Sequence, residues 1–169
     1  IAMYPRYCSW VHLDSTIDYT YANDKILKTI KVNSYENLAN LSPSTQKTFD
    51  SNGDSLVKHL KYVQDWNTIT GLPANSLAAI TQMLAKNIVS PVLEETILEG
   101  NKTLMRSRTD YKIWDNNIYM PEILSRNYDN TLPLKPQVRF YKYDNNGNAL
   151  ELAKENDHKK SYVWDYNST

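Results

Sequence analysis

The residues able to do chemistry are few. Cys8 is the only thiol, and the histidines are His12, His59 and His158. A thiol becomes a useful nucleophile when a base is held against it, so Cys8, set among Arg6, Tyr7 and Trp10, needs one of those imidazoles brought onto it by the fold. One cysteine and three scattered histidines give no zinc-ligand spacing and no internal disulfide. Glu94 and Glu95, with Glu99 close by, are the nearest thing to a carboxylate pair for acid–base work. Adjacent residues on a strand point to opposite faces, however, so the expected place for these carboxylates is a solvated face or rim.

Two acidic loops, Asp50-Ser51-Asn52-Gly53-Asp54 and Asp144-Asn145-Asn146-Gly147-Asn148, offer the hard oxygen ligands of a calcium site. The glycine falls at the fourth position from the first Asp, where a calcium-binding helix–loop–helix loop requires it at the sixth, and turn geometry accounts for the same residues. Asn40, Asn101 and Asn167 head Asn-X-Ser/Thr triplets, which arise readily in a chain with 18 Asn. The tyrosines and tryptophans have faces that stack on sugars, but cross-strand packing also explains their number. No residue is assigned a catalytic, cofactor-binding or metal-binding role.

Composition says what kind of scaffold would hold these groups. In 169 residues there are 19 Lys+Arg against 19 Asp+Glu, so the net charge is zero and no field favours nucleic acid or an anionic membrane. No apolar run approaches the roughly 20 residues that span a bilayer. The start, Ile1-Ala2-Met3-Tyr4-Pro5, lacks the charged and apolar regions of a signal peptide and does not begin with Met, which fits a piece of a larger polypeptide. Thirteen Tyr and four Trp against two Phe, with only four Gly, describe aromatic strands with one wet face, joined by polar turns.

The pattern predicts successive hairpins. Ile17, Tyr19 and Tyr21 alternate with polar residues, Ala22-Asn23-Asp24-Lys25 turns, and Ile26 to Val32 returns. Thr45 to Phe49 and Ser55 to Val63 flank the first Asn-Gly, which predicts a type I′ turn with both residues at positive φ. Val92 to Glu99 and Lys102 to Trp114 flank Gly100-Asn101. Asp115-Asn116-Asn117 leads to Ile118 to Ser125, Asn127 to Pro136 reads as a loop, and Val138 to Tyr143 enters the second Asn-Gly and leaves along Leu150 to Lys154. A last strand, Ser161 to Trp164, has no evident partner. Between Pro73 and Pro91 the period changes to that of a helix, around 75–88 within an insertion of about 74–90. Asn75 or Ser76 serves as its cap, and Leu77, Ile80, Leu84 and Ile88 form its stripe with Met83 beside them.

Two segments repeat. Thr48 to Leu56 aligns with Lys142 to Leu150: aromatic, Asp, two turn residues, Gly, polar, small, Leu, with a degenerate copy at Tyr21 to Leu27. With Arg139-Phe140-Tyr141-Lys142-Tyr143-Asp144 before it and Ser161-Tyr162-Val163-Trp164-Asp165-Tyr166 after it, this block resembles the RHS/YD-repeat proteins, in particular the large secreted or surface forms of the Bacteroidota. The resemblance runs from about Ser15 to the end and includes Pro91-Val92-Leu93-Glu94-Glu95; Asp165 stands where that family usually has Gly.

What the resemblance implies is a mainly β fold: a strip of consecutive antiparallel hairpins within one region, 1–169, forming part of a large β shell. It further implies a non-enzymatic structural role, in which the shell encloses a toxin or cargo domain or is displayed at the cell surface, with export by type IX secretion. The expected partners are neighbouring repeats of the same polypeptide, with a secretion machinery or surface protein beyond them. A free-standing β module that binds a glycan or protein through exposed Tyr and Trp is the competing expectation. A repeat strip cut from its neighbours leaves sheet edges open.

Overall fold

The structure is a computed structural model, and it describes residues 10–22, 25–39, 41–129 and 131–164, leaving aside the side chain of Asn116. Ten strands form one antiparallel sheet whose spatial order is the order of the chain. They are β1 (Ser15–Ala22), β2 (Lys25–Ser34), β3 (Thr45–Phe49), β4 (Ser55–Tyr62), β5 (Val92–Glu99), β6 (Lys102–Ile113), β7 (Tyr119–Asn127), β8 (Lys135–Tyr143), β9 (Ala149–Lys154) and β10 (Lys160–Ser161). Among the described residues β1 and β10 lie at opposite edges and do not pair with each other, so the sheet is open.

The β3–β4 and β8–β9 turns are built alike. Asp50 Oδ1 accepts the backbone N–H groups of Asn52 and Asp54, each at 2.9 Å. Asp144 Oδ1 accepts those of Asn146 and Asn148, at 2.9 and 2.8 Å. The type I′ expectation is corrected. Asn52 and Asn146 keep negative φ, and only the glycines are left-handed, Gly53 at +88° and Gly147 at +84°. Each loop is therefore a three-residue turn closed by a left-handed Gly, which the Asp at its base fixes with side-chain bonds that a two-residue turn would not need.

The only described α-helix longer than one turn, α1 (Ala74–Ala85), sits in the β4–β5 connection after a 3₁₀ turn at Val63–Thr68. The capping expectation is also corrected. Pro73 precedes the first turn and makes no side-chain cap, while Ser76 lies inside the helix and is buried at 1% exposure. The C-terminus carries Asn87 at φ +57°, with Ile88 N–H on Met83 O (2.8 Å) and Asn87 N–H on Leu84 O (3.0 Å). This is a Schellman end with Asn in the left-handed position.

Leu77 is exposed, and the buried stripe is Ser76, Ala79, Ile80 and Met83. Ile80 and Met83 join Val63, Ile69 and Leu93 in a small core, with Leu72, Leu84, Ile88, Tyr111 and Tyr119 packed around it. The rest of the sheet has no comparable cover among the described residues. On β1 and β2 the face formed by Ile17, Tyr19, Tyr21, Ile26 and Val32 is open to solvent.

Each ladder from β4 to β8 has one register shift, and the β8–β9 ladder has two more. From β4 to β8 the extra residues are Leu93 opposite β4, Leu104 opposite β5, Glu122 opposite β6 and Gln137 opposite β7. Two prolines, Pro121 and Pro136, sit beside such shifts, where the missing N–H costs no ladder bond. Pro136 thus belongs to β8 and not to the loop expected there. The last strand does have a partner: Lys160 and Ser161 pair with Leu152 and Glu151 of β9.

Candidate functional site

The groups singled out by type do not assemble into a catalytic cluster among the described residues. Cys8, with Arg6 and Tyr7, lies outside the described residues, as do Asn23, Asp24, Asn40 and the segment 165–169 that holds Asn167. His12 Nε2 lies 2.7 Å from Asp14 Oδ1, and its ring is stacked on Trp10 with centroids 4.4 Å apart. His59 Nδ1 is 3.1 Å from Thr45 Oγ1 on the neighbouring strand, and His158 sits in the β9–β10 turn with its N–H on Asp157. The His12 and His59 rings thus each have a local partner, and the His158 bond is made by its backbone N–H. Asn101 is exposed in the β5–β6 turn and Glu99 is exposed opposite Lys102.

Glu94 and Glu95 do point to opposite faces, but the expectation of a solvated rim fails for Glu94. Glu95 pairs with Lys58 at 2.9 Å in a half-exposed bridge. Glu94 is 7% exposed, and its Oε2 accepts from Arg108 Nη2 (2.9 Å), Arg108 Nε (3.2 Å) and Arg106 Nη2 (3.1 Å). Burial works against the charged carboxylate; the hydrogen bonds and positive charges of Arg108 and Arg106 outweigh it and hold Glu94 below the ordinary Glu range.

Arg108 does more than neutralise Glu94. Its Nη1 donates to Gly71 O (3.0 Å) and its Nη2 to Thr70 O (2.8 Å), while Lys61 Nζ donates to Thr68 O (3.0 Å). By the strand register Lys61 stands opposite Glu94 and Glu94 opposite Arg108, so these side chains share one face. The segment leading into α1 is thereby pinned to that face through its backbone carbonyls. At the other end of the helix, Tyr119 OH donates to Gln82 Oε1 at 3.0 Å.

Asp110, two residues beyond Arg108, is 7% exposed, and its Oδ1 has no hydrogen-bond partner. Burial raises its pKa most; the Arg108 charge lowers it, and the carboxylates of Glu122 and Glu94 raise it again, leaving it above the ordinary Asp range. Burial likewise raises the phenols of Tyr111 and Tyr143. Neither Arg106, Arg108 nor Asp110 is marked by any motif, and the signal that could have found them is only their register relative to Glu94.

Clefts are shallow. One lined by Lys112, Trp114, Glu122, Arg139, Phe140 and Tyr141 has a volume of about 160 Å³. A wider one, about 530 Å³, is lined by Lys135, Pro136, Gln137, Lys154, Glu155 and Asn156 and has no aromatic wall. Among the described residues no three His, Cys, Asp or Glu side chains gather as a metal site would need. No described helix is long and apolar enough to cross a membrane.

The site that remains is a surface: the open edge of β1 with its adjoining apolar face. Comparison of the chain with protein-family models, with curated proteins and with solved structures finds no match.

Proposed function

We propose that this chain is a non-enzymatic structural segment of a secreted or surface-displayed RHS/YD-repeat protein, where it supplies hairpins to a β shell around a cargo domain. The observation that carries the reading is the sheet order, in which the ten strands among the described residues follow one another in space as in sequence and leave β1 and β10 at opposite edges without a further described partner. Such a strip can lengthen at either side without rearrangement, because each added hairpin needs only the ladder of the previous one. The two equivalent Asp-and-Gly turns support the same reading, since they recur where the repeat recurs.

The competing reading, a glycan- or protein-binding module, draws on the cleft walled by Trp114, Phe140 and Tyr141. Ligand pockets usually enclose about 300–1,000 Å³, and this one is about 160 Å³. A second cleft, about 330 Å³, has Tyr128 as the single aromatic among Asn101, Lys102, Thr103 and Asp129, and the structural role is preferred on the sheet order.

The test is hydrogen exchange on the chain within its natural flanking sequence. In the longer polypeptide the outward amides of β1 and β10 should exchange slowly and images should contain a hollow particle. A longer polypeptide in which these amides exchange as fast as in the 169-residue chain held monomeric by dilution would defeat the reading.

A further inference from the structure

We infer that the 169-residue chain pairs with a second copy of itself, β1 to β1 and antiparallel, about a two-fold axis through Tyr19. This does not depend on the shell reading: it follows from the chemistry of one edge strand.

The direction of the free backbone groups is fixed by bonds already present. Lys28 N–H donates to Ser51 Oγ (2.9 Å) and Lys28 O accepts from it (3.3 Å), so the Lys28 backbone faces away from β1. Lys28 stands opposite Tyr19, which makes this a pair without mutual backbone bonds. The N–H and C=O of Tyr19, and by alternation those of Ile17 and Tyr21, therefore point outward. The bond from Asn33 N–H to Asp14 O (2.7 Å) has the complementary parity, with the even-numbered residues bonded inward.

Natural edge strands are blunted by lysine, proline, bulges or short length. The β1 strand has none of these. It is eight residues long, its register with β2 is unbroken, and its single charge is Asp18. Ile17, Tyr19 and Tyr21 on one face are 51, 54 and 74% exposed. The far edge is different: β10 is two residues long and begins with Lys160 beside Lys159. With a net charge of zero there is no long-range repulsion between copies.

Register then follows from side chains. Faces match between copies only when odd residues oppose odd ones, and two alignments overlap best. One places Ile17 opposite Tyr19 of the other copy and sets Asp18 against Asp18, which like-charge repulsion disfavours. The other sets Tyr19 against Tyr19 and Ile17 against Tyr21, with Asp18 opposite Thr20, and separates the two carboxylates. The second alignment brings the Ile17, Tyr19 and Tyr21 faces of the two copies together, with each Lys28 ammonium over its own Tyr19 ring at 6.0 Å, and forms backbone bonds at Ile17, Tyr19 and Tyr21.

Light scattering on the purified chain should give twice the 19.6 kDa of the monomer. Single-cysteine variants at 18, 19 and 20 in a Cys8→Ser background should cross-link fastest for Tyr19→Cys. Tyr19→Pro removes only an outward N–H and should yield a folded monomer with unchanged circular dichroism; Ile17→Lys should do the same if proline disturbs β1. A monomeric wild-type chain, open-ended aggregates, or faster cross-linking of Asp18→Cys or Thr20→Cys would each overturn the inference.

Discussion

Ser76 Oγ accepts the backbone N–H of Tyr111 at 3.1 Å. The contact joins α1 to the place where β6 changes register against β7, between Asp110 and Tyr111. A register shift leaves ladder groups unpaired, and a helix serine supplies the missing acceptor.

Replacing Ser76 by Ala should therefore cost about 1–3 kcal/mol, the loss incurred when a buried donor is left unsatisfied. Asn75→Ala, at an exposed neighbouring position, should stay within about 0.5 kcal/mol. Chemical denaturation of the two variants measures the difference, and equal losses would mean that Ser76 acts only as a helix residue.

Arg108 holds Glu94 and two carbonyls of the connection before α1, so its loss strands a buried carboxylate and frees that connection. Arg108→Ala should cost about 3–5 kcal/mol, whereas the double change Glu94→Gln with Arg108→Met should recover much of it. Hydrogen exchange across 69–85 should rise in the single variant first. Because Glu94 titrates below its ordinary range, its contribution is present above the unfolded pKa and is lost as pH falls through the lowered value. A thermal-melt series in acid should be flatter for Glu94→Gln.

Asp110 has the opposite sign. Its pKa is raised, so its contribution is fully present below the unfolded pKa and is lost as pH rises through the folded one. Asp110→Asn should raise neutral-pH stability by about 1 kcal/mol and remove that pH dependence. A drop in melting temperature at neutral pH would show that the carboxylate is held by a bond it lacks here.

The left-handed glycines of the two matched turns can be compared directly. Gly53→Ala and Gly147→Ala should each cost about 1–2 kcal/mol from the positive φ alone. A Cβ at Gly53 meets nothing within 4 Å, and one at Gly147 meets Met120 Sδ at an ordinary contact distance of 3.4 Å, so the backbone cost should dominate at both and the two losses should be similar. Chemical denaturation of the two variants measures this, and a clearly larger loss for Gly147→Ala would show that Met120 cannot give way.

The insert should also be the weak point of the core. Ile80→Ala should cost about 2–5 kcal/mol and loosen α1, whereas Ile17→Ala, at an exposed position, should leave the melting temperature of the monomer unchanged. Differential scanning calorimetry on dilute protein separates them.

Much of this architecture was legible in the chain. Alternation in Ile17, Tyr19 and Tyr21, the Asp-and-Gly turns, and the change of period after Pro73 marked the hairpins and the helix close to where they stand, because those signals depend on neighbours a few residues away. The sites were less legible. Counting back from the Gly100-Asn101 turn, Glu94 falls opposite Ser107, since Glu99 pairs with Lys102. One extra residue, Leu104, shifts the ladder and brings Glu94 to Arg108.

Local sequence thus determined the alternation, the turn chemistry and the presence of one inserted helix. Tertiary packing decided which polar groups are buried and which apolar face is left bare. The reason is physical: in a strand a one-residue shift re-aims the side chains beyond it, and whether that shift is stable depends on contacts with α1, far away in the chain.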